Sequence, residues 1–483
     1  MRGFNRRVPP PLSTEYLSEQ SPLEDGRRPR VIVAVGTRPE AIKMIPVIMA
    51  LQQTDFCEVI VITTGQHSAI VDELLAAAGV EPYANLWAVG AGGAELNRLT
   101  TNVIERFTDF YAAEFGDSPP SRDQIDDSRE ERPCLVLVHG DTTSAVAVGL
   151  AGFHLRIPVV HVEAGLRSGL HSTPFPEEMN RRLIATLACF HLAPTDRNAQ
   201  NLIREQINTD SIFVSGNTAI DALIWASEHS AEFRDPELAA IDSSDARVVL
   251  ITAHRRENWG SGFDGIAEGV RLLAERHPDV SFVLPLHPNP DVALALGGPL
   301  EGLANVLVTA PLDYFSFARL LNRSTIVLTD SGGLQEEAPA LNKPVIVLRD
   351  ETERQEGIDA GTLLLCGSDP ALIEWAGSEL LKEEDLYQAM AIATNPYGDG
   401  HAAERIVAAL RFAFADGPAP IPFGPGYSRI RVRVDSGFEP AQTRDSAAPS
   451  CTMTAADHAV ELDDPVSRNG SAATTSSEDQ RDA

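Results

Sequence analysis

The chain has 483 residues, 43% of them hydrophobic, and a formal net charge of −30. Such a length can bury more than one core, so two or three soluble domains are expected. No Lys/Arg cluster offsets the charge over a nucleic-acid-sized surface, which argues against DNA, RNA or anionic lipid as partners; an anionic substrate needs a local basic pocket.

Residues 1–30 carry Arg2, Arg6, Arg7 and the run Pro9-Pro10-Pro11 with no apolar stretch behind them, so a flexible arm is expected, not a secretion signal. From residue 31 onward, short β-branched runs alternate with longer amphipathic stretches, the pattern of parallel strands joined by crossover helices. Strands are predicted over 31–35, 59–63, 135–138, 159–162, 189–192 and 212–214, and again over 248–251, 281–284, 306–309, 326–328, 345–348 and 363–365. A helix near 219–229 separates the two series. The expected fold class is α/β, with two doubly wound Rossmann-like domains over 31–218 and 219–395 whose parallel sheets face a central cleft. Residues 117–132, rich in Pro, Ser and acids, read as an exposed insertion, and 396–416 as a C-terminal helix packing back across the cleft. Residues 417–483 turn from Pro/Gly-rich to Ser/Thr-rich and lack the material for a core, so a disordered tail is expected. No run is long enough to span a bilayer. Of five widely spaced cysteines, four lie in or beside apolar runs, which fits reduced, buried thiols in the cytoplasm.

The polar residues that carry chemistry follow the predicted strands. Ile326-Val327-Leu328-Thr329 runs into Asp330-Ser331-Gly332-Gly333-Leu334-Gln335-Glu336-Glu337, a strand followed by a hydroxyl and two glycines opening a helix, where backbone N–H groups can meet a phosphate beside a fixed carboxylate. Gly36-Thr37-Arg38-Pro39-Glu40-Ala41-Ile42-Lys43 places Arg38 and Lys43 beside a helix start; an anion site and a capped helix with solvated charges are equally good readings of this segment alone. Asp141 and Glu163 each directly follow an apolar strand, where a carboxylate is partly desolvated and tunable for proton transfer, although an N-cap is the ordinary role of such an acid. Glu177 falls in the first turn of a helix that begins after Pro174 and Pro176, a place that the helix dipole alone would explain. His254 and His287 sit at strand ends in the second half, with Arg255 beside the first, and together make an anion site. They lack HxxxH or HExxH spacing, so no metal is expected, and the dinucleotide fingerprint GxGxxG is absent.

Taken together, GTRPEAIKMIPVI, TTGQH, VHGDTTSA, HVEAGLRSG, PFPEEMNRR, GNTAIDAL, TAHRRENWG, DSGGLQEEAPAL, KPVIVLRDETERQEGIDAGT and NPYGDG resemble the non-hydrolysing UDP-N-acetylglucosamine 2-epimerases, a branch of the glycosyltransferase-B-like architecture. The resemblance implies reversible inversion at C2 between UDP-GlcNAc and UDP-ManNAc with no cofactor and no metal, by elimination of UDP to 2-acetamidoglucal and re-addition, for cell-surface polysaccharide. It implies that Asp141, Glu163, Glu177 and His254 are catalytic. By the same likeness Arg38, Lys43, Ser331, Gly332, Gly333, Glu337 and Arg354 hold the UDP-sugar, with Glu337 at the ribose and Phe317 near the uracil. Members of the family are commonly homodimers, and many bacterial members bind a second UDP-GlcNAc as activator. Gln66, His67, Glu177, Arg255 and His287 match residues of that second site.

This chain departs from the pattern in places. Ala69 and Gly90-Ala91-Gly92-Gly93 stand where some members supply a glutamine and an arginine to the activator site, and Leu312 replaces a glutamine near the uracil. Relatives acting on uronate or diacetamido UDP-sugars keep the exact sugar open. A glycosyltransferase, a hydrolysing epimerase releasing ManNAc and UDP, and a non-catalytic UDP-sugar sensor are the rival readings; the three carboxylates speak against the first and the last.

Overall fold

A computed structural model describes residues 28–89, 95–116, 133–170, 173–287, 289–415 and 417–424. The N-terminal arm up to 27, the glycine-rich 90–94, the insertion 117–132 and the tail beyond 424 lie outside the described residues.

Seven parallel strands form the first sheet: β1 (Arg30–Val35), β2 (Glu58–Thr63), β3 (Ala84–Asn85), β4 (Pro133–His139), β5 (Val159–Val162), β6 (Phe190–Ala193) and β7 (Ile212–Val214), in the order β3-β2-β1-β4-β5-β6-β7. Six more form the second: β8 (Val248–Thr252), β9 (Ser281–Pro285), β10 (Val306–Thr309), β11 (Ile326–Thr329), β12 (Val345–Val347) and β13 (Leu363–Leu365), in the order β10-β9-β8-β11-β12-β13. The strands are mostly apolar because helices cover both faces; Val31, Val33 and Val35 point into one core cluster while Ile32 and Ala34 point into another. Only β3 escaped the sequence reading, being two residues long.

Strand order reverses between β1 and β4 in the first sheet and between β8 and β11 in the second. At such a switch point the helices on either side diverge to opposite faces and leave a crevice beyond the strand ends. The segments singled out above, Gly36 to Lys43, Asp141, His254 and Asp330 to Gly333, emerge at these two points.

Helix Thr218–Glu228 joins the two sheets, with Leu223 and Ala226 in the second-sheet core and Trp225 packed against both. Asn217 caps it by accepting from the Ala219 N–H at 3.0 Å. The C-terminal helix Ala402–Phe414 returns to the first sheet, where Ile406, Val407, Leu410 and Phe414 complete the core under β1. One cysteine differs from expectation: Cys57 and Cys366 are buried, but Cys189 is exposed, because it lies one residue before β6 begins. No helix among the described residues is long and apolar enough to cross a membrane.

Candidate active site

The loop after β1 is built around a buried acid. Glu40 Oε2 accepts from the N–H groups of Gly36 at 2.9 Å and Thr37 at 2.6 Å, while its Oε1 accepts from the Thr142 hydroxyl at 2.6 Å. One carboxylate thus ties the turn after β1 to the turn after β4, and burial pushes it above its ordinary pKa. A side chain at Gly36 would place its Cβ 2.6 Å from both Ser144 Oγ and Thr64 Oγ1, so only glycine lets the three loops meet. Helix Arg38–Gln52 starts here, leaving Arg38 exposed and carrying Lys43 inward one turn later.

Lys43 Nζ donates to Glu163 Oε2 at 2.5 Å. The same oxygen lies 3.1 Å from His139 Nε2 at the end of β4. Burial would raise the Glu163 carboxyl, but Lys43 and His139 outweigh it and hold the group well below the usual carboxylate range. Glu163 also has φ 63, a left-handed backbone costing a non-glycine residue about 1 kcal/mol, so its side chain is aimed by the turn. Asp141 is clamped by Arg181, whose Nε and second amino nitrogen donate to Oδ2 at 2.9 and 2.7 Å. Burial, with the charge of Glu163 adding, still pushes the Asp141 carboxyl up against that pairing. Arg181 is held in turn by the fully buried Glu178 at 3.1 Å, which also accepts from the Ser168 N–H and from Arg182. Its neighbour Glu177, at the start of helix Glu177–Leu187, has a buried Oε2 with no hydrogen-bond partner among the described residues.

In the second sheet, Asp330 is buried and faces inward. It accepts from the His254 N–H at 2.9 Å, the Arg255 N–H at 2.8 Å and Asn258 Nδ2 at 2.9 Å, so the carboxylate expected beside a phosphate instead builds the loop after β8. The His254 ring stacks on His287, centroids 5.2 Å apart and 1° from parallel. Burial lowers the His254 pKa against the pull of Asp330, and His287 and Arg255 lower it further. The Ser331 N–H donates to Thr329 Oγ1 at 2.9 Å, and the Arg354 guanidinium lies against Gly332, where a Cβ would come within 3.1 Å of its carbon. Arg354 Nε donates to Glu336 at 2.9 Å, and Asn217 Nδ2 donates to the other Glu336 oxygen at 2.9 Å. Glu337, one position on, is raised to about 7 by burial and by Glu336, with Lys43 opposing. Phe317 and Leu312 are each half-buried against the second-sheet core.

The two switch points therefore meet. Lys43 from the first sheet feels Glu336 and Glu337 from the second, and Tyr314 lies within reach of both Arg38 and Glu337. Residues 124–411 match the family model described as UDP-N-acetylglucosamine 2-epimerase. The chain belongs to that family. The UDP-N-acetylglucosamine 2-epimerases of Yersinia pestis and of Escherichia coli strain K12 are each 42% identical to it, over 79% of this chain and 98% of theirs. The crystal structure of UDP-GlcNAc 2-epimerase from Neisseria meningitidis bound to UDP-GlcNAc aligns with a TM-score of 0.69 at 38% identity, covering 79% of this chain and 99% of that one. The enzyme from Methanocaldococcus jannaschii aligns at 0.66 with 30% identity, over 79% and 99%. Membership of the epimerase family makes the chain an isomerase.

Within this epimerase most of the expected site residues fall into three groups. Lys43, Asp141 and Glu163 lie together, with Glu336 and Glu337 across from Lys43. His254, Arg255 and His287 form a second group around Asp330 and the ring stack. Gln66 and His67 sit beside the β1 loop, where Gln66 accepts from the Ser144 hydroxyl at 2.7 Å and His67 Nδ1 accepts from the Arg38 N–H at 3.4 Å. Sequence reasoning did not single out Glu40, His139, Glu178, Arg181 or Glu336. All five lie inside the quoted motifs, and His139 carried a readable signal as a polar residue closing an apolar strand, as did Glu40 as the N3 acid of a Thr37 capping box. Among the described residues no group of three or more His, Cys, Asp or Glu side chains is placed to hold a metal ion.

Proposed function

We propose that this enzyme inverts C2 of UDP-GlcNAc to give UDP-ManNAc, eliminating UDP to leave 2-acetamidoglucal and adding it back, without releasing free sugar. In the first step a carboxylate takes the C2 proton, the C–H electron pair becomes the C1–C2 double bond, and the C1–O bond breaks onto the diphosphate. Reversal delivers a proton to the other face of C2. The observation that carries this reading is the cluster of Asp141, Glu163 and Lys43 at one switch point facing Glu336 and Glu337 at the other. An ionised acid beside one with a raised pKa is the pairing that general base and general acid work needs. Arg38, His254, Arg354, the Ser331 side chain and the amides of Gly332 and Gly333 then hold the leaving UDP, Glu337 the ribose, and Phe317 the uracil side. The partly buried, unpartnered Glu177 is the third acid. Domains 31–218 and 219–395 close on the substrate. A second UDP-GlcNAc as activator at Gln66, His67, Arg255 and His287, a homodimeric state and a cytoplasmic, polysaccharide-precursor role extend the same reading.

NMR of purified protein with UDP-GlcNAc in deuterated water tests it. UDP-ManNAc with deuterium at C2 is expected; free ManNAc plus UDP would make the enzyme a hydrolase. Asp141→Asn, Glu163→Gln and Glu177→Gln should each slow C2 exchange by roughly 10²–10⁴-fold, and near-normal exchange in all three would sink the assignment.

A further inference from the structure

Three histidines lie side by side beneath the site, on the adjacent strands β4, β5 and β6. His161 and His191 are paired in register, and both are buried deeply enough to be pushed down, to about 3 and about 4 respectively. They are neutral at working pH. His161 Nε2 meets the Gly140 carbonyl at 2.8 Å and so supports the turn that carries Asp141. His139 differs, because it alone of the three lies against a carboxylate. It is 3% exposed, and its Nε2 sits 3.1 Å from Glu163 Oε2, off the line that a straight hydrogen bond would take. Lys43 occupies that same oxygen. Both partners therefore crowd one side of the carboxylate, and Oε1 has no protein partner among the described residues.

We propose that His139 is a positioning residue for Glu163: lying against Oε2 beside Lys43, it turns the carboxylate so that Oε1 is the oxygen presented to the C2 proton. This rests on the epimerase reading above. Lys43 is shared, since it also feels the charges of Glu336 and Glu337 across the crevice. The charged and titratable groups around Glu163 are Lys43, His139, Asp141 and Glu336, and those around His139 are Glu163, Glu40, Asp141 and His161.

The test is the pH profile of kcat/KM for C2 exchange in His139→Leu, with His139→Asn as the variant that keeps a neutral donor. Loss of His139 should move the acid limb upward into the usual carboxylate range, where the profile reads it, and Asn should restore part of that shift. A lower rate with the limb unmoved would mean that His139 only fills space, and the proposal fails. If His139→Leu does not fold, the Asn variant decides by the same criterion: an upward shift supports the proposal and none overturns it. Wild-type protein is assayed alongside. If it does not exchange at C2, the epimerase reading has failed; if it does and the limb stays put in the variants, only the role of His139 has failed.

Discussion

Asp221→Asn should gain stability over wild type as pH rises from 4 to 7. Asp221 lies in the helix Thr218–Glu228 that joins the two sheets and is 7% exposed. Its Oδ1 accepts from the Ala403 N–H at 2.8 Å, pinning the start of the C-terminal helix, while Oδ2 is buried without a hydrogen-bond partner among the described residues. Burial pushes the carboxyl from an ordinary 3.8 to about 6, against the N–H groups of Ala403 and Ala402 and with the charge of Asp399 adding. The folded chain thus holds this proton more tightly than the unfolded chain. The stabilising contribution is complete below pH 3.8 and lost as pH climbs through about 6, a difference of roughly 3 kcal/mol at about 1.4 kcal/mol per pH unit. Asparagine does not titrate, yet its carbonyl can still accept from Ala403. Urea unfolding of both proteins at intervals from pH 4 to 8 isolates the effect, because every other titrating group cancels in the difference. A difference curve that rises by about 3 kcal/mol and flattens above pH 7 is expected. A flat or falling curve would show that Asp221 is ionised in the fold at little cost, and the burial argument would be wrong.

Two further outcomes follow from the same geometry. Gly165→Ala should cost roughly 3 kcal/mol or more, or prevent folding, because Gly165 has φ +90 and its Cβ would lie 2.2 Å from the Asn198 carbonyl oxygen, which is backbone and cannot step aside. Gly140→Ala, at φ +66 with open space around the Cβ, should cost only about 1–2 kcal/mol; equal losses in thermal unfolding would refute the close-approach argument. UDP affinity should weaken about tenfold between pH 8 and pH 6, because an ionised Glu337 is needed to accept from a ribose hydroxyl and its carboxyl is raised to about 7. In Glu337→Gln, calorimetry should find weaker binding that no longer changes over that interval.

The parallel strands were legible because burial on both faces leaves largely apolar runs, and the residues just past those runs must lie at the rim where a cleft forms. What the linear pattern cannot encode is direction. Glu177 and Glu178 are adjacent acids in one helical turn, equally plausible from sequence, yet one has a buried oxygen with no hydrogen-bond partner among the described residues while the other is fully buried and anchors Arg181. Asp330 likewise belongs to the most informative motif of the chain, but its carboxylate turns away from the crevice to hold the His254 loop. The contact between Lys43 and Glu163 spans 120 positions, and only the parallel register of β1, β4 and β5 brings it about. That placement has an electrostatic consequence for the whole crevice. Lys43 already serves Glu163, Glu336 and Glu337, and Arg354 is already paired with Glu336. On the proposed function, a diphosphate that takes up Arg354 must draw it from Glu336, so binding and rearrangement of that side chain are one event.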